Sequence, residues 1–130
     1  MNIHEEQFIK SFIVAKKRER YLELLGKDKT RVKITSRFDH CEDLVDDFVT
    51  QIPVNQQNPD EIYKMLREKG AGNNCYIIAD DWDLDGKEMN LRKAIDEYYI
   101  CDGAFFSCIP GKLVFYSGEE ENGRYILEKR

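Results

Sequence analysis

Three β-rich apolar runs close the chain, at residues 104–109, 112–116 and 124–128, and the connections between them are too short to hold a helix. Parallel neighbours need a crossover of a dozen residues or more, so these runs must pair as an antiparallel meander. Pro110-Gly111 separates the first two runs and 118–123 the others. Pro-Gly favours a type II turn, which fits hairpin twist poorly, so a bulge or a slightly longer loop is expected there. Everything upstream has to pack against this sheet.

The upstream chain supplies helices and further strands. Cys75-Tyr76-Ile77-Ile78-Ala79 is a short apolar run bounded by Gly/Asn and by acids, and reads as a buried strand. Asn58-Pro59-Asp60-Glu61 is a helix start, with Asn58 as N-cap, Pro59 at N1 and Glu61 at N3. That helix runs to Lys69 with Ile62, Met65 and Leu66 inward, and Gly70 ends it. Residues 4–25 carry a broad apolar stripe through Phe8, Ile9, Phe12, Ile13, Leu22 and Leu25 and predict one long amphipathic helix ending at Gly26. Residues 31–35 alternate polar and apolar, which predicts a half-buried strand. Residues 38–47 read as a loop or short helix anchored by Phe48 and Val49, and residues 87–99 as a helix. The expectation is one α+β domain over residues 1–130. It has a mixed or antiparallel sheet of about five strands with helices mainly on one face, and a C-terminal three-stranded antiparallel meander. A chain of this length buries roughly two-thirds of its unfolded surface, enough for a core without staples.

Charge and cysteine usage narrow the function classes. Residues 1–37 hold ten Lys and Arg against five Asp and Glu, a net of +5; residues 38–130 hold ten against twenty, a net of −10. The cluster Lys16-Lys17-Arg18-Glu19-Arg20 reads as a solvated helix face, and the acidic remainder would repel a phosphate backbone, so nucleic acid is not the expected partner. No run approaches the roughly 20 apolar residues of a membrane span, and Met1 to Glu6 lack the pattern of a secretion signal. The four cysteines, Cys41, Cys75, Cys101 and Cys108, contain no C-x-x-C pair and read as free thiols, Cys75 and Cys108 as small core residues. A cytoplasmic location is expected.

Chemistry concentrates in the acidic turn 80–86. Asp81-Trp82-Asp83-Leu84-Asp85-Gly86 resembles the first half of an EF-hand calcium loop, D-x-D-x-D-G, with oxygen ligands on alternate residues and a glycine for the sharp turn. The resemblance implies a divalent-cation site at Asp81, Asp83 and Asp85. It departs from the pattern at the twelfth position, where Arg92 replaces the bidentate Glu, and at the eighth, which is Glu88. Asp83-Leu84-Asp85-Gly86 also resembles the nucleophile motif of haloacid-dehalogenase-like phosphatases. Lys87 replaces the usual Thr there, and too little chain follows for the remaining motifs. Capping chemistry explains the same residues, with Asp85 as N-cap and Glu88 at N3 of the helix expected to follow. His40-Cys41 beside Asp39, Glu42 and Asp43 lacks ligand spacing, and 70–74 precedes a strand where a phosphate loop would follow one. No G-x-S-x-G or H-E-x-x-H motif occurs, and Ser107-Cys108 has no base that sequence positions.

These observations favour a small soluble binding or regulatory protein acting on a protein partner through an acidic surface of Trp82, Asp39, Glu42 and Asp43. No cofactor, membrane or nucleic acid is expected. The alternative is a small metal-dependent hydrolase that uses Asp81, Asp83 and Asp85.

Overall fold

The C-terminal runs pair as their turns demand. In the computed structural model, which describes residues 1–130, β4 (Ala104–Ile109), β5 (Leu113–Ser117) and β6 (Arg124–Glu128) form the antiparallel meander. Lys112 N donates to Ile109 O at 3.0 Å, and Gly111 takes φ +70°, the geometry of a type II turn. The expected bulge accompanies it: the β4–β5 register shifts between Ser107 and Ile109.

Three more strands extend the sheet on both sides. β1 (Val49–Gln51) joins β6, β2 (Asn74–Ala79) joins β4, and β3 (Glu88–Asn90) joins β2. The order is β1-β6-β5-β4-β2-β3, antiparallel throughout, six strands where about five were expected. The α+β class stands. Helices, however, cover both faces of the sheet instead of mainly one. Cys75, Ile77 and Ala79 of β2 pack into a core with α4 (Pro59–Glu68) and α5 (Leu91–Tyr98). Tyr76 and Ile78 pack into a second core, with α1 (Ile3–Phe12), α2 (Ala15–Leu25) and α3 (Asp28–Thr35). Two covered faces explain why β2 is an unbroken apolar run with no alternation. No helix is long and apolar enough to cross a membrane.

Three local expectations are corrected. The single helix 4–25 is two helices, because Ile13 and Val14 turn extended and meet another segment. Val14 N donates to Asp43 O and Val45 N to Phe12 O, each at 2.8 Å, and Ile13 bridges Leu44. β-Branched residues accept that geometry readily. Residues 31–35 belong to a helix, not a strand. Val32 is 61% exposed, whereas Ile34 and Thr35 are buried and Arg31 is turned inward. The inward set is thus 31, 34 and 35, a helical spacing disguised by an arginine.

The third correction moves the helix after the acidic turn. Gly86 N donates to Ile77 O at 2.8 Å and Ile77 N to Lys87 O at 2.9 Å, so the turn closes a β2–β3 hairpin. The helix begins only at Leu91, with Asn90 as its cap, accepting from Lys93 N at 3.0 Å. Asp85 and Glu88 therefore form no capping box. At α4 the expected cap is present, Asn58 accepting from Glu61 N at 3.0 Å. Asn90→Ala should cost about 1 kcal/mol in urea denaturation and Glu88→Ala much less. The reverse ranking would restore the helix start to Asp85.

Candidate functional site

The candidate site is built where β2 runs out. Asp80 N donates to Gly103 O at 2.9 Å, the last rung towards β4, and the chain then turns back through Asp81 to Gly86. Leu84 is buried and pins the turn to the core. Asp81 Oδ1 accepts from Asp83 N at 2.9 Å and Leu84 N at 3.2 Å, fixing the turn from within. With Leu84 held inside, Trp82 is left 97% exposed.

Beside the turn lies an ion network centred on Arg31. Its Nε donates to Asp85 Oδ2 at 2.5 Å and one Nη2 bond reaches Asp85 Oδ1 at 3.0 Å. Glu5 takes the second pair, Oε1 from Nη1 at 3.0 Å and Oε2 from Nη2 at 2.6 Å, and Leu25 O accepts from Nη1 at 3.1 Å. All five donors of the guanidinium are used. Tyr76 OH donates to Glu5 Oε2 at 2.5 Å, and Asp85 Oδ1 also accepts from Ala79 N at 3.0 Å, covering the edge of β2 beyond β3. Burial weakens Arg31's hold on its proton. Its bonds to Asp85 and Glu5, and their charges, more than reverse that and hold it above the usual arginine range. Tyr76 is raised by burial and by its bond to Glu5. Glu5, 3% exposed, tolerates burial because it is paired on both oxygens.

A cleft of about 640 Å³ opens between α3 and the turn. Asp28, Val32 and Thr35 line one side and Asp80, Asp81 and Trp82 the other, with Arg31, Tyr76 and Asp85 at its lining too. None of Asp28, Asp80 and Asp81 is in an ion pair. Asp80 is raised above the ordinary carboxylate range, first by burial and then by Asp39, Asp81 and Asp85. Burial pushes the Cys101 thiol up to about 11, helped by Asp81, Asp102, Asp39 and Asp80.

The sequence-predicted residues part company here. Asp81 serves the turn backbone, Asp85 serves Arg31 and Ala79, and Asp83 is exposed. They do not converge, and no group of three or more His, Cys, Asp or Glu side chains stands where it could hold a metal ion. Asp39 joins the acidic turn across space; its carboxylate lies so close to Gly103 that a Cβ there would sit 2.5 Å from Oδ1. Asp43 is not a surface residue. It is 6% exposed, accepts from Tyr21 OH at 2.6 Å and pairs with Arg37 at 3.3 Å. Glu42 is exposed but belongs to a smaller hollow of about 220 Å³, where His40 lies 3.6 Å from Glu42 and 3.8 Å from Glu120.

Sequence reasoning missed Glu5, Arg31 and Asp80. Glu5 had a signal, since it stands in the apolar stripe 5, 8, 9, 12 of α1, where a charge needs a buried partner. It also missed His4, whose Nδ1 lies 2.8 Å from Ser107 Oγ and whose ring stacks on Tyr76 at 5.4 Å between centroids. Ser107 is fully buried, so the pair offers no nucleophile to a substrate. Burial holds His4 below its ordinary pKa, with Glu88 acting the other way.

Comparison with protein-family models, with curated proteins and with solved structures finds no match. The geometry alone carries the functional reading.

Asp85→Ala leaves Arg31 and the Ala79 N–H short of a partner and should lower stability by about 3 kcal/mol. Asp83→Ala should change it by less than about 0.5 kcal/mol. Calcium should move neither melting temperature; a sub-millimolar calcium shift lost in Asp81→Ala would return the turn to metal binding.

Proposed function

We propose that the chain is a binding or regulatory protein that recognises a basic partner protein through the acidic end of its sheet, with Trp82 as the anchor. One observation supports this above the others. The only tryptophan is 97% exposed on the rim of a cleft in which Asp28, Asp80 and Asp81 have no cation of their own. Large aromatic side chains in such positions are the usual anchors of protein interfaces, and an indole face attracts lysine and arginine. Arg31 is the one cation at the lining, and its donors are spent on Glu5 and Asp85. Asp39, Asp80, Asp81 and Asp102 then act as an uncompensated negative field that speeds encounter with a positive surface.

The raised pKa of Asp80 points the same way. A carboxylate in a cleft whose charged form is disfavoured by burial and by neighbouring acids is a functional-site signature. Nucleic acid is disfavoured by the same field, and a reducing cytoplasm suits four free thiols. The hydrolase reading needs convergent carboxylates, which the turn does not provide, and it is not carried forward.

The single tryptophan is its own reporter. Titration with a lysine- and arginine-rich peptide at low salt should shift Trp82 fluorescence, and an acidic peptide or duplex DNA should not. Asp80→Asn with Asp81→Asn should abolish the shift at unchanged fold. Basic-peptide binding that survives the loss of both acids, or salt-sensitive DNA binding lost with Lys16→Ala and Lys17→Ala, would overturn the proposal.

Asp80 also gives a pH-dependent outcome. Its folded pKa lies above the unfolded value of 3.8, so ionisation costs the native state stability as pH rises from 3.8 through the folded value. Asp80→Asn should therefore be more stable than the native chain at neutral pH and equal to it below pH 3.8. A less stable variant at neutral pH would show that the carboxylate is satisfied in the free protein.

A further inference from the structure

The β2–β4 ladder holds a cysteine pair that neither the cleft nor the meander uses. Its register runs Ala79↔Ala104, Ile78↔Phe105, Ile77↔Phe106 and Tyr76↔Ser107. The ladder ends there, and the next residues of the two strands are Cys75 and Cys108, both in the core under α4 and α5. The hydrogen-bond phase tells which kind of position comes next. Asp80 N donates to Gly103 O, whereas Ile77 turns its own N–H and C=O the other way, to Lys87 O and from Gly86 N. Antiparallel rungs alternate, so 80/103 is a hydrogen-bonded position, 77/106 is not, and 75/108 continues the phase of 77/106. Opposed Cα atoms at such non-bonded positions lie about 4.5 Å apart, inside the roughly 4.4–6.8 Å that a disulfide spans.

The side chains agree with the backbone. Both cysteines belong to the core shared with α4 and α5, Cys75 at 1% exposure and Cys108 at 9%. On its other side Cys108 is the bulge residue: β5 pairs Ser107 with Val114 and Ile109 with Leu113 and leaves Cys108 out of the register. A flat ladder resists the near-perpendicular torsion of a disulfide; a bulge bends and twists the strand and supplies the slack.

We propose that Cys75 and Cys108 form a buried dithiol that hydrogen peroxide converts to a cross-strand disulfide, locking β2 to β4 at the end of the ladder remote from the acidic turn. In the first step the Cys108 sulfur attacks one peroxide oxygen. The O–O bond breaks, and the departing hydroxide leaves as water with the thiol proton, giving a sulfenic acid. The Cys75 sulfur then attacks the Cys108 sulfur. An S–S bond forms, the S–O bond breaks, and the hydroxyl leaves as a second water with the Cys75 proton. The two thiols lose two electrons and the peroxide gains them. A dithiol reductant reverses the lock. Burial keeps both thiols protonated, with Cys75 pushed up to about 12, so the lock forms slowly at neutral pH and faster as pH rises.

The chain as purified under reductant should titrate four thiols after denaturation, matching four free cysteines. Peroxide treatment of the native chain carrying Cys41→Ala and Cys101→Ala should remove both remaining thiols and leave a monomer. Peptide mapping should recover a Cys75–Cys108 linkage, and the melting temperature should rise by on the order of 5–10 °C and fall back with dithiothreitol. The same map on the treated native chain decides the matter if that variant fails to fold. Linkage through Cys41 or Cys101 in place of this pair, sulfinic acid at Cys75 or Cys108 without a linkage, or two intact buried thiols at alkaline pH would each overturn the proposal.

Discussion

Arg31 is the interaction on which the arrangement depends. Its guanidinium joins Glu5 of α1, the last carbonyl of α2 at Leu25, and Asp85 of the β2–β3 turn, while sitting itself on α3. The three N-terminal helices and a turn more than fifty residues on are thereby held in one place. Two bidentate carboxylates on one arginine use its planar fork fully, which a lysine could not do. Ion pairs of this kind add little net stability over a well-packed apolar substitute, because desolvation offsets most of the attraction. Their effect is geometric. An apolar contact would let α3 slide along the sheet edge, whereas five directed bonds admit one position.

That position also finishes the sheet. β3 is only three residues long and pairs with β2 from Asn74 to Tyr76, so the far end of β2 has no strand beside it. The backbone of Gly86 and Lys87 serves Ile77, and the Asp85 carboxylate serves Ala79 N. An open strand edge invites pairing with other chains, and here a turn and a charged side chain close it. One aspartate therefore orients the arginine and satisfies the edge. The fold thereby accounts for Asp85, one of the turn's alternating carboxylates, through its bonds to Arg31 and Ala79.

The legible and illegible parts of the sequence divide along the same line. The meander, its bulge and the Asn58 cap were readable because each rests on neighbours in sequence: turn residues, alternation, and a side chain reaching its own helix. Asp43, Asp85 and Arg31 were misread because their partners lie elsewhere in the chain. Arg31 counted as an outward residue, and with it outward the run 31–35 alternates like a strand. Counted as inward it completes a helical face with Ile34 and Thr35. The break at Ile13-Val14 was hidden for a related reason, since the competing hydrogen bonds come from Asp43 and Val45, some thirty residues on. The helical tail 87–99 absorbed Glu88 to Asn90 because a three-residue edge strand carries too little pattern to register. The helices on the second face could have been inferred from β2 itself, whose five consecutive buried residues need cover on both sides.

Satisfied and unsatisfied charges meet within a few residues of one another. Asp85 is bonded on both oxygens, and Asp81 is spent on the backbone of its own turn. Asp80, between the strand and that turn, is held near Asp39 and Asp81 with no cation. Folding alone does not call for this, since an asparagine at 80 would leave the rung to Gly103 untouched: that bond uses the backbone N–H. A tryptophan at 97% exposure is likewise costly to solubility and contributes nothing to either core. These two residues that the fold does not need line the cleft, while Arg31, Tyr76 and Asp85 beside them are partnered within the Glu5 network. A frame neutralised around Arg31 that presents an unrelieved negative charge and a bare indole supports the proposal of a basic partner, whose surface cation would answer both features at once.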